Sequence, residues 1–281
     1  MNKKGKLFVV SLPIGNLKDI TLRALEVLKE TKYITCEDTR SLRKILNYYQ
    51  LKGKKLISLY KDIEKERVDK VIKILLSGKD VVLVSEAGTP LISDPGAYLV
   101  KEAYNQRIKI VPIPGASALT CALSVSGIVL NKGFIFLGFL PRKKVEQKKL
   151  LERLPSEFPL VFFESPHRIK KTLKNLLEIL GNRKCFLARE LTKIHEELLW
   201  SDLETLSQRE EFVGEITLII MPEDTSKKEK TEIIEKEMNL KKEIEKLKNQ
   251  GLKDKEIAKN LAQKFKISAK EIYKKIIEIS E

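Results

Sequence analysis

Short β-branched runs alternate with longer stretches of helical period from the start of the chain to about residue 125, and this alternation leaves few folds open. Leu7–Ser11, Tyr33–Cys36, Leu56–Leu59, Val81–Ser85 and Ile108–Val111 have strand length. Thr21–Lys29, Ser41–Tyr48, Lys65–Leu76, Gly96–Asn105 and Ser117–Val125 repeat their apolar residues at helical spacing. Strands separated by helices pair in parallel, and these runs are apolar on both faces, as strands covered above and below must be. The predicted fold class is α/β. In such sheets a ligand binds at the carboxyl ends of the strands.

After Ser126-Gly127 the pattern changes. Strands are predicted at Phe134–Leu137, Leu160–Phe163, Lys184–Leu187, Glu196–Trp200 and Glu215–Met221, with helices near Val145–Leu154 and Ile169–Leu180. The late strands crowd together, with only Thr205–Phe212 intervening, so part of this second sheet is expected to be antiparallel. Phe8, Phe134, Phe136, Phe162 and Phe163 fall inside strand runs and are expected in the core, while Phe139 beside Pro141 is placed to stack on a base. The expected organisation is an α/β domain over 1–127, a second over 132–222 and a helical tail over 226–281. In the tail, a helix over Glu229–Lys248 is followed by helix, turn and helix, with Ser268 as the last N-cap.

The 281 residues carry 54 Lys and Arg against 39 Asp and Glu, a net +15, which favours an anionic partner. Residues 225–281 hold 16 Lys and 11 acidic residues, so +5 lies in the tail, which reads equally as a solvated charged bundle or as an RNA- or ribosome-binding element. No apolar stretch approaches the roughly 18 residues that a membrane-spanning helix needs, and the apolar run after the basic N-terminus is too short for a signal segment. The expected location is cytoplasmic, with no membrane partner. Cys36, Cys121 and Cys185 are odd in number and widely spaced, which suggests buried thiols rather than a disulfide or zinc framework.

Three small-residue loops follow predicted strands. Ser11-Leu-Pro-Ile-Gly-Asn-Leu leaves the first, with Pro13 and Gly15 setting a tight turn. Ser85-Glu-Ala-Gly-Thr-Pro-Leu-Ile-Ser-Asp-Pro-Gly leaves the fourth and is longer than a plain connection. There Ala87 and Gly88 let backbone approach a ligand, Thr89 and Ser93 offer hydroxyls, and Asp94 with Pro95 is expected to start the next helix. Pro114-Gly-Ala-Ser-Ala, ending in Ser117 and Ala118, leaves the fifth. On one sheet edge these loops form one cleft, and neither GxGxxG nor GxxxxGK[ST] occurs to suggest a dinucleotide or P-loop site.

In order and spacing these loops resemble those of the tetrapyrrole methylase superfamily. Ser11–Leu17, Glu86–Gly96, Pro114–Ala118, Gly138–Lys143, Glu164–Arg168 and Arg189–Glu197 are most similar to its branch that methylates small-subunit ribosomal RNA. Glu86 replaces that branch's Asp, and Leu12 its Thr. The resemblance implies two α/β domains with S-adenosylmethionine in the cleft between them, and no metal. It implies Pro13, Gly15, Ala87, Gly88, Thr89, Ile92, Ser117 and Ala118 as cofactor contacts. It further implies methyl transfer to the ribose 2′-oxygen of a cytidine in the decoding region of 16S ribosomal RNA within the small ribosomal subunit, by a homodimer.

An acceptor hydroxyl needs help in losing its proton, so charged residues near these loops are candidates. Glu37, Glu190 and Lys193 are candidate catalytic groups, and Arg40, Arg142, Lys143, Glu164, His167, Arg168 and Arg189 candidate RNA or ribose contacts. Two other functions stay open: methylation of a tetrapyrrole such as uroporphyrinogen or a corrinoid, and a non-catalytic ribosome-binding factor.

Overall fold

Leu7–Val10 (β1), four apolar residues buried at both ends, runs through the interior of the first sheet. In the computed structural model, which describes residues 3–59, 64–223, 238–265 and 267–278, β1 pairs in parallel with Val81–Leu83 (β4) and Ile110–Ile113 (β5). Tyr33–Cys36 (β2) pairs in parallel with β4 and with Lys55–Ser58 (β3), giving the order β3-β2-β4-β1-β5. Pro112 is tolerated because β5 is an edge strand. Helices Leu22–Glu30 (α1), Thr39–Tyr48 (α2), Glu64–Leu76 (α3) and Ala97–Asn105 (α4) connect these strands.

Two apolar layers result, one on each face of the sheet. Leu7, Val81 and Leu83 pack with Val68, Leu75 and Leu99, and Val10, Ile34 and Val82 with Ala24, Leu28 and Leu42. Burying a large aliphatic side chain contributes roughly 1.5–3 kcal/mol, so alternation along each strand commits both faces to cover.

The second sheet has the order β6-β7-β10-β8-β9. Ile135–Phe139 (β6) pairs in parallel with Leu160–Glu164 (β7). Ile216–Ile220 (β10) is antiparallel to β7 and to Lys184–Arg189 (β8), which is antiparallel to Glu197–Asp202 (β9). The antiparallel expectation therefore holds. Lys144–Leu151 (α6), Pro166–Leu180 (α7) and Leu203–Gln208 (α8) complete it.

Ala118–Ser126 (α5) closes the first half of the chain in sequence, yet its buried Ala122 packs with Val161, Phe186, Ala188 and Ile219 of the second sheet. The Trp200 indole donates to Ser126 O at 3.0 Å from the same side. Residues 1–222 accordingly form one compact unit and 223–281 another.

Several local expectations change. Ile108 lies in the turn that closes α4, not in β5: Arg107 turns the chain at φ 51° and the Ile108 amide donates to Ala103 O at 2.9 Å. Thr21 is the N-cap of α1 and not its first residue, its Oγ1 accepting from the Ala24 amide at 3.2 Å. Asp94 does not start α4, whose N-cap is Gly96. Phe134 precedes β6 and is 38% exposed.

In the second unit residues 238–249 (α9), Asp254–Phe265 (α10) and Ala269–Glu278 (α11) are helical. The part of the predicted Glu229–Lys248 helix over 229–237 lies outside the described residues. Ile244, Ile257, Leu261 and Ile272 form its core, and Ser268 caps α11 by a reciprocal pair with Glu271.

Candidate active site

The three small-residue loops meet at the carboxyl edge of the first sheet. Leu12 exchanges two backbone hydrogen bonds with Gly88, at 2.9 and 3.0 Å, joining the loops after β1 and β4. Thr89 Oγ1 donates to Ala116 O at 3.1 Å, which brings in the loop after β5, and lies 3.0 Å from Ser11 Oγ. With the Thr89 proton given to Ala116, the Ser11 hydroxyl is the donor of that second bond. The Thr89 hydroxyl, offered to a ligand by its position in sequence, thus ties the three loops together.

The second sheet supplies the opposite wall of a cleft of about 440 Å³, the size of a small-molecule site. On the first side stand Ile14, the segment Glu86 to Thr89, Ile92, Ser93, Asp94, Ser117 and Ala118. Facing them are Phe139, the turn from Phe163 to Pro166, Ala188, Leu191 and residues 215–217. Of the sequence-derived candidates, Ala87, Gly88, Thr89, Ile92, Ser117, Ala118 and Glu164 line this space.

The others stand around it. Pro13 is buried next to Ile14, and Gly15 lies so close to the turn after β8 that a side-chain carbon there would sit 2.4 Å from Lys193 Cγ. Arg40 pairs with Asp38 at 3.1 Å, a hydrogen bond that holds the Asp38 carboxyl below its usual range. Arg142 and Lys143 are exposed, Lys143 lying 3.7 Å from Glu146. His167 is exposed in the first turn of α7, where Arg168 donates to Leu140 O at 2.6 Å. Glu164, 2% exposed, accepts from the Ser165 amide at 2.9 Å and the Thr172 hydroxyl at 2.7 Å, with Arg168 Nε 3.4 Å away.

The Arg189 to Glu197 segment forms two closed networks. Arg189 donates to Glu197 at 2.7 Å and to Val213 O at 2.9 Å. Hydrogen bonds from Arg209, then from Arg189, hold Glu197 low against the opposing effect of burial. Lys193 donates to Glu190 at 2.7 Å and to Glu215 at 3.0 Å, while Glu190 also accepts from the Glu215 amide at 2.8 Å. Burial pushes the Glu190 carboxyl up, but these hydrogen bonds outweigh it and its pKa falls below the ordinary value. Burial likewise pulls Lys193 down, and the two carboxylates outweigh it and raise its pKa. Glu190 and Thr192 hold positive φ values of 51° and 66°, so this turn is strained.

Asp94 shifts the other way. Burial, then the negative charges of Glu37 and Glu86, push its carboxyl up to about 6. Phe163 and Glu215 line the cleft although neither falls in a quoted motif, and within Ser11–Leu17 it is Ile14, not the expected Pro13 or Gly15, that lines it. Phe163 alternates in sequence like a core residue. Its ring stands 5.8 Å from that of Phe139 at the cleft wall.

A parallel α/β sheet and a mostly antiparallel one, with a small-molecule cleft at their junction, define a tetrapyrrole-methylase type of protein. The sequence matches the family of Tetrapyrrole (Corrin/Porphyrin) Methylases over residues 6–207. A crystal structure of diphthine synthase shares the fold at a TM-score of 0.60 and 18% identity, over 77% of this chain and 90% of that one. Ribosomal RNA small subunit methyltransferase I of Thermotoga maritima is 46% identical over 220 residues, 77% of this chain and 98% of its own. The Bacillus subtilis protein of that name is 37% identical over 273 residues, 96% of this chain and 93% of its own. The chain belongs to the ribosomal RNA small subunit methyltransferase I family within the tetrapyrrole methylases.

Proposed function

We propose that the chain methylates the ribose 2′-oxygen of a cytidine in the decoding region of 16S ribosomal RNA, using S-adenosylmethionine and acting on the small ribosomal subunit as a cytoplasmic homodimer. The observation that carries this reading is the three-loop cleft, in a chain 46% identical to a protein named for small-subunit ribosomal RNA methylation.

The chemistry of the cleft fits S-adenosylmethionine. Ile14, Ile92 and Leu191 would give the ligand apolar surface, and the small residues Ala87, Gly88, Ser117 and Ala118 would leave the backbone there open to it. Glu86 places a carboxyl group where a cationic ligand gains from it. When bound, S-adenosylmethionine supplies a methyl carbon already activated by its sulfonium. The protein has only to hold the acceptor oxygen in line with that carbon, exclude water and receive a proton.

On the acceptor side Phe139, 52% exposed at the rim, offers a ring to an unstacked base, and exposed Arg142 and Lys143 offer charge to phosphates. His167, Arg168, Arg189, Glu190, Lys193, Glu37 and Arg40 surround this acceptor region in the reading. Residues 1–127 and 132–222 act as the two walls and 226–281 as an additional basic element for RNA.

The test is incubation with labelled S-adenosylmethionine and small subunits lacking ribose methylation, followed by nuclease digestion and mass mapping. Label in a 2′-O-methylcytidine of the decoding region is the expected result. Label entering uroporphyrinogen but not RNA would overturn the reading.

A further inference from the structure

Four carboxyl groups line the cleft, and three of them are held by partners. Glu86 accepts from the Ser41 hydroxyl at 2.8 Å, Glu164 from Ser165 and Thr172, and Glu215 from Lys193. Asp94, the fourth, accepts no hydrogen bond and forms no ion pair among the described residues. It does not cap α4, so the usual structural employment of an Asp before a helix is missing too. Its segment is strained, with Leu91 and Ser93 at φ 73° and 76°. Strain of this kind persists where the surroundings enforce it and concentrates at functional sites.

We propose that Asp94 is the proton acceptor of the methyl transfer, an assignment that rests on the hydroxyl-acceptor reading above. Asp94 takes the proton as the acceptor O–H bond breaks. The acceptor oxygen forms its bond to the methyl carbon, and the electron pair of the broken carbon–sulfur bond goes to sulfur, leaving a neutral thioether. The proton then leaves Asp94 for water.

The charged groups around Asp94 favour this role. Glu37 at the end of β2 and Glu86 on its own loop face it from the first sheet, and their charges add to burial in raising its pKa to about 6. From the second sheet, the carboxyls facing the same cleft are Glu164, beside Arg168, and Glu215, held by Lys193. A carboxyl of this pKa is ionised at neutral pH and is a stronger base than an ordinary one. The competing groups are less suited: Lys193 is kept protonated by two carboxylates, and Glu190 is made a weaker base by its hydrogen bonds.

The experiment compares wild type, Asp94→Asn and Asp94→Glu for S-adenosylmethionine affinity by calorimetry, kcat on undermethylated small subunits, and the pH profile of kcat/KM. Asp94→Asn is expected to lower kcat roughly 100- to 10,000-fold, the usual worth of a general base, and to keep cofactor affinity within about threefold. Asp94→Glu is expected to recover part of the rate. The wild-type profile should rise with pH through an apparent pKa near 6, and the residual activity of Asp94→Asn should lack that limb. A variant as fast as wild type would overturn the assignment, and so would a rate loss matched by an equal loss of cofactor affinity. A wild type that methylates no ribose would instead sink the acceptor reading, and the Asp94 assignment with it.

Discussion

At the scale of single residues, the cleft holds one carboxyl against its own preference. The folded-state pKa of Asp94, about 6, lies above the ordinary carboxyl value because burial and two neighbouring negative charges disfavour its ionised form. A group raised in this way stabilises the fold fully below about pH 4 and loses that contribution as pH rises through about 6. Asp94→Asn, neutral at every pH, is therefore expected to be more stable than wild type in neutral buffer. The gain should be on the order of 1 kcal/mol once solvent screening of a partly exposed group is allowed for. Thermal melting across pH checks this, and the gain should vanish in acid. Lys193→Met is expected to act in the opposite sense. Glu190 has a depressed pKa, so the stability its pairing contributes is present above the ordinary carboxyl range and lost as pH falls through the folded value. Removing Lys193 should cost about 1–3 kcal/mol at neutral pH, with the difference from wild type shrinking in acid in the same melting series. The two thiols that are fully buried are inert by the same physics, since burial above all pushes Cys36 and Cys185 up to about 12.

At the scale of elements, the segment between β4 and α4 joins local sequence to the site. Gly96 begins α4 at φ 121°, a backbone that side-chain-bearing residues avoid, and a side-chain carbon there would sit 3.1 Å from Leu83 Cδ2. Gly96→Ala is expected to destabilise the protein by about 1–3 kcal/mol and to weaken cofactor binding as well, because Ile92 and Ser93 of the cleft wall lie on the same segment. A denaturant titration and calorimetry on one preparation check both. The regular elements were largely legible in the sequence, for reasons that are local. Alternation of apolar residues needs no distant partner to be read, and neither does a capping pair such as Ser268 with Glu271, three residues apart. What misled was local chemistry outbid by contacts from elsewhere. Asp94-Pro95 has the composition of a helix start, but the helix begins only after Gly96, whose φ of 121° is closed to most other residues. Ile108 is β-branched like Ile110 and Val111 of β5, yet it lies in the turn that closes α4 and packs into the core layer beneath it.

At the scale of the whole molecule, every residue lining the cleft lies between Ile14 and Thr217, inside the unit formed by residues 1–222. Truncation after Pro222 is expected to leave S-adenosylmethionine affinity within about twofold of the full chain. It should also lower affinity for small subunits and reduce the slope of log affinity against log salt, since 16 Lys are removed. Unchanged subunit binding would show that the tail makes no phosphate contacts. The sequence alone was enough for the α/β class, the two kinds of sheet, and the three small-residue loops on one sheet edge, because each follows from side-chain period or from residues adjacent in the chain. Tertiary structure decided which face each of those residues turned to. Phe163 alternates like a core residue and becomes a cleft wall. Helix α5 follows the first sheet in sequence and buries Ala122 against the second. The Thr89 hydroxyl is used up in joining loops, and Asp94 owes its unusual proton affinity to burial and to Glu37, which is brought near by a different strand. Periodicity says which residues share a side of an element. Whether that side is packed, hydrogen-bonded or left facing a ligand depends on groups far along the chain that only folding brings within range.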